Sequence, residues 1–308
     1  MALMTYADAA RLAVQHAMAE DSGVVVLGED VGRGGIFQQY KGLQQAFGAA
    51  RVIDTPISEA TIMGAAVGMA LAGLKPVVEM RVVDFALCAM DEIVNQAAKA
   101  RYMFGGQGRV PLVARLPIGL WSGSAAQHSQ SLEAWFAHMP GLVVVAPSTP
   151  QDNYSLLRAS IDCGDPVIYM EHKELWGLQA EVSAAEAELG KARVVREGNE
   201  VTLVTWSKTV HAALEAKTSK SVEIIDLRTL WPWDKETVFS SVRKTGRLLV
   251  VHESIQAAGF GAEIAATVAE ELNVPVKRLG APRIPVGYSK PLEDEARVTA
   301  QKIEALLQ

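Results

Sequence analysis

Short apolar runs alternate with helical patterns along this chain, and this alternation constrains the fold more than any other feature. In the first half of the sequence the predicted strands are Val24–Leu27, Val77–Met80, Leu112–Ala114 and Leu142–Val145. Near-continuous apolar strands are typical of parallel sheets that are buried on both faces. The helix-like segments between them are residues 7–19, 60–72, 90–100 and 151–161. The pattern predicts an open α/β sheet with helices on both faces.

A polar, Ala- and Glu-rich stretch interrupts the alternation between Glu174 and Glu200, after which the pattern restarts. The second set of predicted strands comprises residues 201–206, 222–225, 248–251 and 276–279. Pro275 precedes the last of these, a position that a strand tolerates at its start. We therefore expect a first domain over residues 1–180, a linker over residues 181–199 and a smaller α/β domain over residues 200–308.

Composition excludes several classes of protein. The net charge of −6 disfavours a nucleic-acid-binding protein. The longest apolar run, Ile62 to Leu74, is too short to span a bilayer, and no charged-then-apolar leader precedes Tyr6. Two cysteines in 308 residues indicate a reducing compartment without a disulfide framework. These features predict a cytoplasmic protein with no membrane segment.

The glycine-rich segments do not complete a nucleotide-binding motif. Residues 32–34 and 259–261 both have the form Gly-x-Gly, but Phe37 and Ile264 stand where a dinucleotide fingerprint needs its third small residue. A Gly-x-x-x-x-Gly-Lys-Ser/Thr loop is absent. Nicotinamide binding and nucleoside-triphosphate hydrolysis are therefore disfavoured.

Glu59 is the leading candidate for a functional carboxylate. It follows the β-rich segment Arg51–Ile53 and opens a long helix of small apolar residues. A buried carboxylate at this position would retain its proton more readily than one in water. The alternative is that Ser58 or Glu59 only caps the helix and complements its positive end.

His128 and Phe85 are the next candidates. His128 follows a loop of small and turn-forming residues, 119–126, from which a histidine can reach a ligand and titrate near neutral pH. The alternative is a solvated loop histidine. Phe85 follows Asp84 after a predicted strand, where its ring could cover a flat heterocycle or simply belong to the core.

Several blocks in a fixed order resemble the beta subunit of thiamine-diphosphate-dependent 2-oxo acid dehydrogenases. These blocks are residues 54–59, 64–74, 126–138, 140–150, 225–230 and 259–263. The resemblance runs from about Tyr6 to about Leu292. It implies a transketolase-like pyrimidine-binding domain followed by a transketolase C-terminal-like domain.

The resemblance also implies roles for the candidate residues. Glu59 would share a proton with the aminopyrimidine ring of thiamine diphosphate, and His128 would supply or steer a proton during acyl transfer. Ile57, Phe85 and Arg81 would bind the cofactor together with Glu59. Arg81 would lie beside this pocket, where its charge must be paired or face a substrate carboxylate.

This sequence departs from the family immediately before Phe85. The family usually has another aromatic residue just before the Asp-Phe pair, whereas this chain has Val82 and Val83. The departure affects the expected substrate rather than the expected fold.

The chain lacks the segment with which thiamine enzymes hold magnesium and diphosphate. That segment begins with Gly-Asp-Gly, whereas the one Gly-Asp pair here, Gly164-Asp165, runs into Pro166. The resemblance therefore implies half of an active site, with magnesium and diphosphate held by a separate alpha subunit in an α2β2 heterotetramer. A lipoylated acyltransferase is the further partner that the family implies.

A potassium ion is also implied by the resemblance. In relatives, backbone carbonyls at the positions of Leu112, Ser160, Cys163 and Asp165 surround a monovalent cation. The alternative at these positions is a helix end and a turn before the next strand.

The implied reaction is oxidative decarboxylation of a 2-oxo acid followed by acyl transfer to a lipoyl carrier. The stretch from Ala125 to Trp135 is more similar to pyruvate and acetoin dehydrogenases than to the branched-chain enzymes. Two other classes of function are the alternatives. One is a non-catalytic scaffold subunit of the same fold, and the other is a single-chain thiamine enzyme, which would need the missing diphosphate segment.

Overall fold

The first α/β unit contains eight strands and six α-helices in the computed structural model, which describes residues 1–308. Its strands are β1 (Ala2–Thr5), β2 (Val24–Gly28), β3 (Val52–Asp54), β4 (Lys75–Glu79), β5 (Val113–Arg115), β6 (Val143–Val145), β7 (Val167–Tyr169) and β8 (Gln179–Val182). Its helices are α1 (Tyr6–Glu20), α2 (Leu43–Phe47), α3 (Glu59–Leu71), α4 (Ala98–Met103), α5 (Glu133–Ala137) and α6 (Pro150–Asp162).

The second unit repeats the α/β alternation. Its strands are β9 (Arg193–Arg196), β10 (Val201–Thr205), β11 (Val222–Asp226), β12 (Thr229–Trp231), β13 (Leu248–Ile255) and β14 (Val276–Ala281). Its helices are α7 (Thr209–Glu215), α8 (Lys235–Thr245), α9 (Phe260–Glu271), α10 (Lys290–Ala296) and α11 (Ala300–Leu307).

Six strands of the first unit and β12 form a seven-stranded sheet with the order β12-β6-β7-β5-β4-β2-β3, and β1 and β8 form a separate two-stranded sheet. All neighbours from β6 to β3 pair in parallel, whereas β12 from the second unit pairs with β6 in the antiparallel direction. The carboxyl ends of six parallel strands consequently lie along one edge of the sheet. In open α/β sheets such an edge is the usual place for a ligand.

The second sheet has the order β14-β13-β10-β11-β9, and only its edge strand β9 is antiparallel to its neighbour. A single apolar cluster extends from the first sheet, at residues such as Val78 and Ile168, to the second, at residues such as Ile225 and Val250. The two units therefore share a core, so that their relative position is determined by packing as well as by the connecting chain.

The predicted α/β class and its eight strands are confirmed, with shifts of a few residues at their ends. Two predicted segments differ from the structure in detail. The predicted helix 90–100 contains a π-helical turn over Glu92–Ala97 before α4 begins. The interval 181–199 contains the end of β8, which pairs with β1, and the whole of β9, which pairs with β11. Both are edge strands with exposed faces, and this is why their composition is polar.

The helices begin where the sequence supplies capping side chains. Thr5 accepts a hydrogen bond from the Asp8 N–H at the start of α1, and Thr149 accepts one from the Asp152 N–H at the start of α6. None of the helices has both the length and the apolar character needed to cross a lipid bilayer.

Candidate active site

The carboxyl edge of the seven-stranded sheet brings the sequence-predicted residues together. Ile57 and Glu59 follow β3, Arg81 and Phe85 follow β4, and His128 lies in the long connection after β5. Because β5, β4, β2 and β3 are consecutive parallel strands, all five residues lie at the same edge of the sheet, in the segments that follow β3, β4 and β5. Residues distant in sequence therefore form one candidate site.

Glu59 is the first residue of α3, and its carboxylate is available to a ligand. Ser58 occupies the N-cap position but makes no capping bond, because its hydroxyl donates instead to Thr61 Oγ1 at 2.8 Å. Glu59 is half-buried, and no hydrogen bond or ion pair within the chain engages its carboxylate. Capping by Ser58 is therefore excluded, and this chain alone encloses Glu59 only in part.

Two acidic residues that sequence reasoning missed neutralise Arg81. The guanidinium Nη1 lies 3.1 Å from Asp30 Oδ2 and 3.8 Å from Glu29 Oε2, at the end of β2. Burial raises the pKa of Glu29, and the negative charge of Glu59 adds to this, while Arg81 opposes it. Arg81 is therefore paired within the chain with two carboxylates, and Glu59 lies close enough to Glu29 to affect its pKa.

Phe85 and His128 lie in direct contact. Their ring centroids are 5.1 Å apart and their planes meet at 85°, which is an edge-to-face arrangement. Phe85 is half-buried and His128 is exposed. Ile57, in the segment after β3, exposes 77% of its surface. The edge therefore combines apolar and aromatic surface with the Glu59 carboxylate, groups that suit a flat heterocycle with a basic nitrogen.

Residues 119–130, which we call the His128 loop, are tied to the first unit by polar contacts. The Lys173 ammonium donates to the carbonyl of His128. The Gln130 amide donates to Asp84 Oδ1 at 2.7 Å, and within the loop the Gly119 N–H donates to the Gln130 carbonyl at 3.0 Å. Lys173 is buried, and burial lowers its pKa to about 8. This loop therefore has a defined conformation.

Sequence reasoning did not identify Glu29, Asp30, Asp84 or Lys173 as members of the site. A signal was nevertheless present, because each of these ionisable residues follows a predicted or observed buried strand by one to five positions. A charge placed just after a buried parallel strand lies at the ligand-binding edge of the sheet.

A buried polar layer lies beneath the site. Glu79, at the end of β4, accepts a hydrogen bond from the Tyr40 hydroxyl at 2.7 Å and one from the Gln39 amide at 3.1 Å. Burial raises the pKa of Glu79 to about 7. Arg115 and Glu171, both fully buried, form a two-point ion pair with distances of 2.8 Å.

The four residues predicted to surround a monovalent cation lie near the end of α6 and the start of β5 and β7. The Leu112 carbonyl accepts the Val167 N–H at 2.9 Å, and the Ser160 carbonyl accepts the Cys163 N–H at 3.3 Å. The Asp165 carboxylate pairs with Arg101. Since a carbonyl oxygen has two lone pairs, these hydrogen bonds leave one acceptor position on the Leu112 carbonyl and one on the Ser160 carbonyl.

One face of α3 is apolar and exposed. Ala60, Gly64, Gly68 and Leu71 lie on this face, and a side chain added at Gly68 would meet no atom within 4 Å. The opposite face, which includes Met63 and Ala66, is buried in the core. A helix that is apolar all round is normally buried on all sides.

Comparison with sequence families divides the chain into two matched parts. Residues 2–179 match the family described as "Transketolase, pyrimidine binding domain". Residues 190–303 match "Transketolase, C-terminal domain".

Relatives named for three different substrates have similar sequence identities to this chain. The 2-oxoisovalerate dehydrogenase subunit beta of Bacillus subtilis is 42% identical, covering 100% of this chain and 98% of that protein. The acetoin:2,6-dichlorophenolindophenol oxidoreductase subunit beta of Bacillus subtilis is 41% identical, with 98% and 95% covered. The pyruvate dehydrogenase E1 component subunit beta of Rickettsia bellii is 44% identical, with 94% and 93% covered.

A solved structure supports the fold. A split-gene transketolase, described as an inactive beta4 tetramer, superposes with a TM-score of 0.81 at 21% identity. The match covers 99% of this chain and 97% of that one. At this identity the similarity shows the fold alone.

Proposed function

This chain belongs to the transketolase-like beta subunits of the 2-oxo acid dehydrogenases, and on that premise we propose that it provides the pyrimidine-binding half of a thiamine-diphosphate-dependent active site. The observation that carries the proposal is the convergence of Ile57, Glu59, Phe85 and His128 on the carboxyl edge of one sheet. The resulting enzyme is an oxidoreductase that decarboxylates a 2-oxo acid.

The residues at this edge fit the aminopyrimidine ring of thiamine diphosphate. The Glu59 carboxylate has no partner within the chain and is free to bind a ring nitrogen. Ile57 and Phe85 present apolar surface to the faces of a ring. When bound, the cofactor supplies an electron-accepting thiazolium ring for the electron pair left by the departing carbon dioxide.

Glu59 holds and exchanges a proton in this proposal. A carboxylate oxygen of Glu59 shares the proton of a ring nitrogen, and the Glu59 charge lies close enough to Glu29 to contribute to the raised pKa of that neighbour. Enclosure by a partner subunit would remove more water from Glu59 and strengthen its hydrogen bond to the ring. This is the general acid–base role that the site supports.

His128 delivers or steers a proton at one of its imidazole nitrogens during acyl transfer. Its ring lies against Phe85, and its carbonyl accepts from Lys173, so the residue is held next to a ring that lies at the same sheet edge as Glu59. An imidazole is suited to this role because it titrates near neutral pH. We propose that the acyl group passes to a lipoyl arm on an acyltransferase component.

The remaining half of the site is assigned to an alpha subunit in an α2β2 heterotetramer. The absence of a Gly-Asp-Gly segment supports this assignment, as do the exposed Ile57 side chain and the exposed apolar face of α3. In this proposal the alpha subunit holds the diphosphate and its magnesium ion. The α3 face then becomes buried at a subunit contact.

A potassium ion is proposed at the carbonyls of Leu112, Ser160, Cys163 and Asp165. These residues lie near the end of α6 and just before β5 and β7, and their carbonyl oxygens are the hard ligands that such an ion prefers. The ion would stabilise this turn and takes no part in the chemistry. Exchange of potassium for choline should lower the melting temperature of the chain if the assignment is correct.

Pyruvate is the substrate we propose, with acetoin and branched 2-oxo acids as alternatives. The identities to relatives named for the three substrates lie between 41% and 44% and do not separate them. The proposal therefore rests on the sequence from Ala125 to Trp135, next to His128. We further propose a cytoplasmic location, in keeping with the unpaired thiols of Cys88 and Cys163.

The test is turnover by the chain co-expressed with an alpha subunit. Thiamine diphosphate, magnesium, an artificial electron acceptor and a panel of pyruvate, acetoin and branched 2-oxo acids would be supplied. We expect turnover by the complex alone, and we expect Glu59→Gln to abolish it while leaving the complex assembled. Tight cofactor binding by the isolated chain, or near-full activity of the Glu59→Gln complex, would contradict the proposal.

A further inference from the structure

The His128 loop contains backbone conformations that need external support. Ser122 and Ala125 have φ values of 48° and 60°, in the left-handed region that side chains other than glycine rarely adopt. A non-glycine residue in this conformation costs on the order of 1 kcal/mol of folding free energy, and the conformation persists only where surrounding contacts hold it in place. The loop must therefore be held by its neighbours.

Two carboxylates of the second unit hold this loop through its main chain. Glu253, on β13, accepts the Leu120 N–H at 2.9 Å and also binds His172 Nε2 at 2.8 Å. Glu293, on α10, accepts the Gly123 N–H at 3.1 Å. Both glutamates are almost fully buried. Hydrogen bonds from main-chain N–H groups to buried carboxylates are among the stronger ones in proteins.

Apolar packing does not replace these contacts. A cavity of about 400 Å³ separates part of the loop region from the second unit, with Leu120 and Ser129 on one wall and Ile255 and Val286 on the other. The Ser129 hydroxyl is buried without a hydrogen-bond partner. Since close packing on this side is incomplete, the polar anchors contribute to the position of the loop.

We propose that Glu253 and Glu293 are positioning residues for His128, through which the second α/β unit sets the geometry of the active-site loop. The inference rests on the role of His128 given under the proposed function. The two carboxylates fix the amino-terminal part of the loop at Leu120 and Gly123, while Lys173 and Asp84 fix its carboxyl-terminal part. His128 is thereby held between anchors from both units.

The charge state of Glu253 suits this role. Its burial alone would raise the pKa of the carboxyl group, but His172 and the Leu120 N–H together lower the pKa below its usual value. The carboxylate is therefore ionised at neutral pH and accepts both hydrogen bonds in their stronger, charge-assisted form.

Hydrogen–deuterium exchange on the full chain, without cofactor or partner, tests the anchoring directly. Glu293→Ala and Glu253→Ala should each accelerate exchange in peptides covering residues 119–130 by about tenfold, the effect of losing one hydrogen bond to a charged acceptor. Glu253→Gln, which keeps a carbonyl acceptor, should restore part of the protection. Glu270→Ala removes an exposed carboxylate of α9 and serves as the matched control.

Kinetics of the assembled complex test the consequence for His128. We expect Glu293→Ala and Glu253→Ala to slow acyl transfer about tenfold, with the KM for pyruvate changed less than about threefold, because the anchors act on geometry rather than on substrate binding. If Glu253→Ala does not fold, Glu293→Ala alone decides the question.

The outcomes separate this inference from the proposed function. Unchanged exchange in residues 119–130, or faster exchange with unchanged acyl transfer, would overturn the positioning role while leaving decarboxylation by the wild-type complex intact. Absence of turnover in the wild-type complex would instead remove the proposed function and, with it, the role of the anchors in catalysis, whatever the exchange rates are.

Discussion

The imidazole ring of His128 lies edge-on to the phenyl ring of Phe85, with centroids 5.1 Å apart and planes at 85°. The two residues come from loops after different strands, β4 and β5, which are neighbours in the sheet. The contact links an aromatic surface suited to a cofactor ring with the group proposed to move a proton. A change in either ring should therefore affect the other.

Replacing Phe85 by leucine should weaken cofactor binding while preserving the fold. The substitution keeps an apolar side chain but removes the aromatic face, so we expect the Kd for thiamine diphosphate in the assembled complex to rise about three- to tenfold. The Kd can be measured by titration calorimetry. Phe239→Leu, in the core of the second unit, provides the comparison, and an unchanged Kd for Phe85→Leu would place the ring outside the cofactor site.

Arg81→Gln tests whether the site cation binds substrate. Arg81 is already paired with Asp30 and Glu29, and such partly exposed pairs contribute about 0–1 kcal/mol. We therefore expect the KM for pyruvate to change less than about fivefold. Asp30→Asn, which removes the partner instead, is the matched variant. A KM at least tenfold higher in Arg81→Gln alone, with kcat retained, would show that the guanidinium binds the substrate carboxylate.

The sequence predicted the α/β class and eight of the fourteen strands, because apolar strands are features of the linear chain. The roles of the candidate site residues stay predictions. The sequence did not predict the pairing of Arg81 with Glu29, since that contact depends on β2 and β4 being neighbours in the sheet. The strand β9 was also missed, because an exposed edge strand has the composition of a loop. Contacts between units, such as Glu253 with Leu120, require the three-dimensional arrangement.

Glu79→Gln should change the pH dependence of stability. The folded-state pKa of Glu79 is about 7 because the group is buried, whereas an unfolded glutamate titrates near 4.3. Between these values the folded protein retains a proton that the unfolded chain has lost, so the free energy of unfolding of the wild type falls as pH rises. A glutamine at position 79 does not ionise, and its side-chain carbonyl can still accept the hydrogen bond from the Tyr40 hydroxyl.

The difference in unfolding free energy between Glu79→Gln and wild type should therefore increase by about 3 kcal/mol from pH 4.5 to pH 7 and then level off. Urea unfolding of the isolated chain at several pH values measures this difference. Glu223→Gln, in the second unit, is a useful comparison, because the pKa of Glu223 is lowered rather than raised. A difference independent of pH would show that Glu79 is ionised in the folded chain at all these values.

Gly68→Leu should impair assembly without harming the isolated chain. A side chain at Gly68 meets open space on the exposed face of α3, and leucine favours a helix over glycine by about 0.5–1 kcal/mol. In an α2β2 complex that buries this face, the added volume would be overpacked at a cost of about 1–3 kcal/mol. We expect an unchanged or higher melting temperature for the chain alone and at least about fivefold weaker association with the alpha subunit in sedimentation experiments.

The control is Ala269→Leu, which changes an exposed small residue on α9 and should assemble normally. If Gly68→Leu forms the complex as tightly as Ala269→Leu does, the α3 face lies outside the subunit contact, and the half-site must be completed through the loops around Ile57 instead.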